Sequence, residues 1–434
     1  MLKKVAEAMK EVLEESAERL GKATGFVKRK VKVTGANFSQ TVVFGWMGNP
    51  EATLEELATT GAAVGLEISP QGLEQRFTKE AGELMKGVLE EAVGKVISAE
   101  GVEIPVLKKF TGVYIEDSTV VTLPEELKEE WAGCGGSGSE AAVKIEVGLE
   151  MKTGEMEGPY LEDGKVHDGK STLQEQEHPK GALVLRDLGY WSLERQKEMG
   201  EKDVFWLSRI KSQVALYDEE GRRWSVAEVA RAQRGDEVEM WVELGVKVRL
   251  PARLVGRRVP LDVAEERRRK CKKSAMKHGR TPTAETLSLC DWAFFVTTVP
   301  ESTLSIDEIF VLARLRWQIE LLFKLWKSHG HLDKSRSAKS WRILCECYTK
   351  LLILVIQHWL FLTSIWRFPD RSLTKAARIV RQHSLSLSIA LSDFHELVSA
   401  IYILSRCLSH GSRINSSRKH PRTYQLLLAL ESFS

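Results

Sequence analysis

The chain has few of the marks that assign a function at once. Its six cysteines, Cys134, Cys271, Cys290, Cys345, Cys347 and Cys407, are scattered over 434 residues, and no two form a C-x2-C pair. Scattered thiols of this kind read as reduced, which points to the cytosol. The N-terminal stretch Met1-Leu-Lys-Lys-Val-Ala-Glu-Ala-Met9 has an acid inside an amphipathic helical pattern, unlike a signal peptide, and fits the same cytosolic location. A run of about 20 clean apolar residues, as a membrane span requires, is also lacking. Leu351 to Leu362 comes nearest, but Gln357 and His358 interrupt it between Lys350 and Arg367, so it reads as a buried core helix. Internal repeats and low-complexity tracts are absent. The glycine-rich loop Ala132-Gly-Cys-Gly-Gly-Ser-Gly138 has no following Lys-Ser/Thr pair, which argues against a nucleotide P-loop. No local motif suggests a Ser-His-Asp triad.

What is present is an ordinary globular composition, 43% hydrophobic and 28% charged, long enough for two or three domains. The net charge of +3 conceals an asymmetry: residues 301–434 carry 19 Lys and Arg against 10 Asp and Glu. A basic C-terminal third suits a polyanionic partner, and equally a solvated basic surface.

Residues 1–105 have the three-and-four spacing of helices. Thr53 and Glu56 form a capping pattern before one helix; Ser69-Pro70 opens a second, Gln71 to Phe77, after a glycine-bearing turn at Gly61 to Gly65. The pair has the outline of a helix-turn-helix, shared by many plain helical hairpins. Arg76 in the second helix and Lys28, Arg29 and Lys30 in the basic stretch Phe26 to Lys32 are candidate phosphate contacts.

From about residue 110 the pattern turns to strands alternating with helices, the sign of an α/β core. Thr111 to Thr122, Ala141 to Met151, Ala182 to Tyr190, Val204 to Ile210 and Ala293 to Thr298 read as strands, with a short helix at Ser192 to Gly200. Residues 211–290 look like a β-rich insertion ending in a basic helix. That helix places eight positive charges between Arg267 and Arg280; Arg267, Arg268, Lys270 and Lys273 are candidate DNA-backbone contacts, with a solvated linker helix as the alternative. A long helix is expected from about Ser305 to His329, and residues from about 335 onward are helical. The expected domains are therefore 1–105, 106–335 with the insertion, and 336–434, the last a candidate dimerisation region.

On the long helix, Arg316, Glu320 and Lys327 fall on one narrow stripe beside an apolar face made by Leu315, Ile319, Leu322 and Trp326. A surface Arg-Glu pair is the ordinary explanation of such spacing. Asp117 and Asp187, each at or after an expected core strand, supply two further carboxylates. Two Asp and one Glu make a hard oxygen set suited to Mg²⁺, and two such ions can serve in-line displacement at phosphorus. Ser328-His-Gly-His331 with Asp333 reads as a helix C-cap around Gly330 rather than a metal site.

The wording around these residues resembles the insertion-sequence-4 family of bacterial DDE transposases. Asp187-Leu-Gly-Tyr resembles that family's D-x-G-Y/F element, and Arg316, Glu320 and Lys327 match its Y-x2-R-x3-E-x6-K signature. Asp117-Ser-Thr resembles its first-aspartate strand. Ala313 stands where the signature has tyrosine. The resemblance implies an RNase-H-like α/β catalytic core interrupted by the insertion, the spacings being 70 residues from Asp117 to Asp187 and 133 from Asp187 to Glu320. It implies Asp117, Asp187 and Glu320 as catalytic ligands of Mg²⁺ or Mn²⁺, with two ions, and Arg316 and Lys327 as phosphate contacts. It implies cut-and-paste transposition on double-stranded transposon ends and target DNA by a homodimer, with no membrane. An aromatic of the insertion would stack a flipped base; Trp292 is the candidate, a core role being its alternative. A transposase-derived DNA-binding protein with impaired catalysis is the rival reading, and a nuclease-like scaffold a third.

Overall fold

The computed structural model describes residues 1–29, 32–136, 138–417 and 421–430. Ten strands occur among them: β1 (Val113–Leu123), β2 (Ala141–Glu150), β3 (Met156–Asp163), β4 (Leu183–Arg186), β5 (Phe205–Arg209), β6 (Leu216–Tyr217), β7 (Arg223–Trp224), β8 (Glu237–Leu244), β9 (Leu250–Arg258) and β10 (Trp292–Thr297). The fold is mixed α/β with a large sheet and many helices. The chain divides into two compact units, one of Met1–Glu103, Asp117–His167 and Trp317–Gln425, the other of Ile104–Glu116, Asp168–Arg316 and the described residues from Leu426.

The first unit is mainly helical. The helix Ser340–Leu362 packs against Lys79–Val93 and Gly35–Gly48. By length and composition alone this helix could cross a membrane, but 94% of its apolar window is buried in the protein, so it is a core helix, as the interruptions at Gln357 and His358 suggest. Capping boxes start two of the N-terminal helices: Thr34 with Asn37 before Gly35–Gly48, and Thr53 with Glu56 before Leu54–Ala63. Ser69 and Pro70 open the next helix as expected, yet it lasts a single turn, Pro70–Glu74. In the same unit β2 pairs antiparallel with β3. Every residue of β2 is buried, and within it Lys144 Nζ lies 3.0 Å from Glu146, so that the two charges compensate each other away from water.

The second unit is built on strands in the order β1-β4-β5-β10-β9-β8-β6-β7, with β1, β4 and β5 parallel and the rest antiparallel. Parallel neighbours need a crossover, and the helix Leu193–Glu201 supplies it between β4 and β5. All four residues of β4 are buried, which is the pattern of a strand covered on both faces. Trp206, Leu216, Leu244, Leu254 and Val296 make the core beside them, closed by Val226 and Val229 of the helix Val226–Ala232. That helix begins with a Ser225–Glu228 capping box inside a stretch whose sequence reads as strand-rich.

The single long helix expected over about 305–329 is two helices, Ile306–Leu315 and Trp317–Ser328, meeting at Arg316. Of the residues expected on its apolar face, Leu315 is buried on the first helix and Ile319, Leu322 and Trp326 on the second. The C-terminal cap differs from expectation in one atom-level respect. The left-handed residue is His331, with φ of 50°, and the Leu332 amide returns to the Trp326 carbonyl at 3.2 Å. Gly330 is required for a different reason, since a Cβ there would stand 2.6 Å from the Trp326 carbonyl oxygen.

Candidate functional site

In the strand-rich unit the registers of β1 and β4 match Val113 with Leu183 and continue to Glu116 with Arg186. In sequence Asp117 follows Glu116 within β1, and Asp187 follows Arg186 just past β4. Asp187 leaves β4 at its C-terminal end, where it precedes the short turn Leu188–Tyr190. Its carboxylate is 43% exposed and lies 3.9 Å from the guanidinium of Arg316, itself 13% exposed. A charge pair at that distance and exposure is loose, and it leaves the carboxylate open to other ligands. The structure thus brings together two of the residues marked by sequence, one from the strand end and one from the junction between two helices.

One residue before Asp187, Arg186 belongs to a cluster that the sequence pattern did not single out. Glu116 and Arg186 form a buried ion pair, 1% and 7% exposed, through Oε2 and Nε. Arg186 also donates from Nη1 to Gln174 Oε1 at 2.8 Å and from Nη2 to the Leu173 carbonyl at 3.4 Å. The His178 ring lies on the other side of Glu116, Nε2 to Oε1 at 2.8 Å, and against the Tyr114 ring. Burial alone would push the Glu116 carboxyl up; Arg186, and then His178, outweigh it and hold it below the ordinary carboxylate range. The sequence holds only a partial signal for this cluster: the two aspartates are preceded by charges of opposite sign, Glu116 and Arg186.

In the helical unit, Asp117 continues β1, and its Oδ1 accepts from the Ser118 amide at 2.8 Å. Glu320 lies in the first turn of Trp317–Ser328, half-buried beside the apolar face. Lys327, expected to face phosphate, donates to the Val120 carbonyl of β1 at 2.9 Å. Two aspartates and a glutamate are hard oxygen donors, chemically suited to a divalent cation such as Mg²⁺. Among the described residues, no group of three or more His, Cys, Asp or Glu side chains is disposed as a metal-holding cluster.

The other marked residues divide by environment. Trp292 is 4% exposed, stacked on Phe294 with centroids 5.4 Å apart, and the Arg258 guanidinium sits 4.7 Å from its ring centre. Both neighbours make it a core aromatic here, the alternative weighed against base stacking. The basic helix is Leu261–Lys277. Arg267 Nη1 donates to the Trp292 carbonyl at 2.8 Å and Arg268 pairs with Asp291, so these two fasten the helix to the turn before β10. Lys270 and Lys273 point outward; Lys270 is 3.2 Å from Glu266 on the same exposed face. Lys28 and Arg29 are exposed, with Lys28 3.7 Å from Glu80, and Arg76 is half-buried. Lys30 lies outside the described residues.

Comparison with known proteins adds an independent line. Residues 108–356 match the family model described as Transposase DDE domain, a segment that contains Asp117, Asp187 and Glu320. The transposase for insertion sequence element IS231F of Bacillus thuringiensis subsp. israelensis is 24% identical over 99% of this chain and 96% of its own length. The transposase for insertion sequence element IS1151 of Clostridium perfringens is 24% identical over 100% of this chain and 98% of its own. The putative transposase InsL for insertion sequence element IS186A of Escherichia coli (strain K12) is 36% identical, over 21% of this chain and 26% of its own.

Proposed function

The chain belongs to the transposase DDE domain family, and from that premise we propose that it is an insertion-sequence transposase acting by cut-and-paste. In this reading it binds the inverted repeats at transposon ends as a homodimer, cuts there, and joins the ends to target DNA. Asp117, Asp187 and Glu320 are its catalytic carboxylates, on a core of RNase-H type, and the insertion-sequence-4 signature is its nearest wording. The observation that carries the assignment is positional. Asp117 and Asp187 each follow the last matched residues, Glu116 and Arg186, of two neighbouring parallel strands, inside the segment that matches the family.

Domains of this family generally use divalent metal ions. The donors here fit Mg²⁺ or Mn²⁺ by their hardness, and two ions suit the chemistry of phosphodiester exchange. Bound by the three carboxylates, the metal would activate the attacking oxygen and stabilise the leaving one. The protein's own part is to place those carboxylates and to hold the DNA. Arg316, beside Asp187, is the forked donor suited to a phosphate next to the scissile bond. Lys327 is a point charge that would exchange the Val120 carbonyl for phosphate.

Ala313 favours a second reading. It stands where the resembled signature has tyrosine, on the helix that ends at Arg316, and it removes an aromatic and a hydroxyl from the DNA-end grip. A protein that binds ends but cuts poorly follows from that loss.

One assay separates the two. With a duplex carrying the terminal repeats and Mg²⁺, the wild type should nick and join while Glu320→Gln binds the same ends without cutting. If wild type and Glu320→Gln both bind and neither cleaves, the catalytic reading is wrong and the DNA-binding one stands.

A further inference from the structure

Two cysteines line an open, cationic cleft in the strand-rich unit. Cys271 belongs to the basic helix Leu261–Lys277, and Cys290 to the short turn Leu289–Asp291 that leads into β10. Both line the cleft together with Arg209, Lys211 and Arg267. Helix and turn are pinned on either side of this seam, by Arg267 on the Trp292 carbonyl and by Arg268 on Asp291. Cys271 stands four residues after Arg267 and three after Arg268, so it shares their inward face. The register of those contacts, Arg267 with Trp292 and Arg268 with Asp291, brings the next inward residue of the helix, Cys271, toward Cys290, and both residues are partly exposed. Cys345 and Cys347 are buried in the core, out of reach of an oxidant in solution.

We propose that Cys271 and Cys290 are a thiol-oxidation site, closing into an intramolecular disulfide that fastens the basic helix to the turn before β10. The oxidant is a low-molecular-weight disulfide. Cys271 Sγ, as thiolate, attacks one of its sulfurs; the S–S bond breaks and one small thiolate leaves, taking up the proton that Cys271 lost. Cys290 Sγ then attacks Cys271 Sγ; the mixed disulfide breaks and the second small thiolate leaves with the Cys290 proton. Two protein thiols are oxidised, and one small disulfide is reduced to two thiols. Nothing in this site depends on the catalytic reading of the aspartates.

The test is to incubate the full chain, dilute, with glutathione disulfide, alkylate the remaining thiols, and map peptides without reduction. The expected result is a cross-linked peptide joining Cys271 to Cys290 in monomeric protein, with two of the six thiols lost, reversed by dithiothreitol. Cys290→Ser should stop at a mixed glutathione adduct on Cys271. The wild-type map decides the matter even if a serine variant folds poorly. Unresolved adducts at both cysteines, or cross-links confined to the exposed Cys134 between molecules, would overturn the proposal.

Discussion

The buried charges where β1 pairs with the end of β4 and the exposed charges of the helix Leu261–Lys277 are alike in chemistry and opposite in use. Glu116, Arg186 and His178 have exchanged water for one another, and Arg186 spends its remaining donors on Gln174 and the Leu173 carbonyl. Each charge there is defined by a partner. On the basic helix Arg267 and Arg268 are tied to the segment before β10, Arg269 and Lys270 share the partly exposed Glu266 of the same helix, and Lys272 and Lys273 stand in solvent. A buried pair fixes geometry, because breaking it strands a charge. An exposed cation leaves geometry free and supplies a field that a polyanion can use. The comparison teaches that charges alike in sequence differ by their partners: those committed to a buried partner are not available to a polyanion, and those left in solvent are.

The strongest way to break this contrast is Arg186→Ala. It leaves the Glu116 carboxylate inside the protein with only His178 beside it, and such loss of one partner costs about 3–5 kcal/mol. Urea denaturation of the variant should show that loss. Replacing the pair together, Glu116→Leu with Arg186→Met, should recover most of it, since no charge is then stranded. A cost below about 1 kcal/mol for Arg186→Ala would mean that the pair does not hold the two strands together.

Much of the architecture was legible because its determinants are local. The capping boxes at Thr53 and Glu56, the Ser69-Pro70 start, and the apolar strands β2, β4, β5 and β10 stand close to where the sequence places them. β3 was not legible: Met156-Glu-Gly-Pro-Tyr-Leu-Glu-Asp163 contains the Gly-Pro of a turn, and it is a strand because β2 pairs with it. The helix break at Arg316 was hidden for the opposite reason, as the apolar spacing runs through it without a fault. At the site, the motif words picked out Asp187 with Arg316, which the structure places together. The Glu116–Arg186 pair needed the register of two strands 70 residues apart, and no spacing within either strand states that register.

A smaller effect sharpens the buried side of the comparison with a group kept neutral. His358 in the helix Ser340–Leu362 is 2% exposed, and its Nε2 shares a hydrogen bond of 2.6 Å with the Gly154 carbonyl. Gly154 has φ of 71° and no room for a Cβ beside Leu362 and Trp366, so that carbonyl is tightly placed. Burial lowers the His358 pKa to about 4 from an ordinary 6.5. Between those values the unfolded chain takes up a proton that the folded chain refuses. The stability tied to this group is therefore complete above pH 6.5 and is lost as pH falls toward 4, on the order of 3 kcal/mol in all. Comparing wild type with His358→Gln by denaturation at about pH 7 and about pH 4.5 checks it. The variant should be less stable at neutral pH and show a flatter decline. Parallel declines would show that His358 is not the titrating group.

The smallest effect on stability carries the sharpest statement about function. Lys270→Ala with Lys273→Ala removes two cations whose side chains lie in solvent, and the fold should change by less than about 0.5 kcal/mol. If those cations meet DNA phosphates, the slope of log affinity against log salt should become shallower by roughly 0.9 for each phosphate left unneutralised. Arg267→Ala is the internal control. Its guanidinium is committed to the Trp292 carbonyl, so its removal should lower stability and leave the salt slope close to that of the wild type. A slope that responds to Arg267 and ignores the two lysines would reverse the assignment, making the inner face of the helix, along the cleft edge, the surface that DNA reaches.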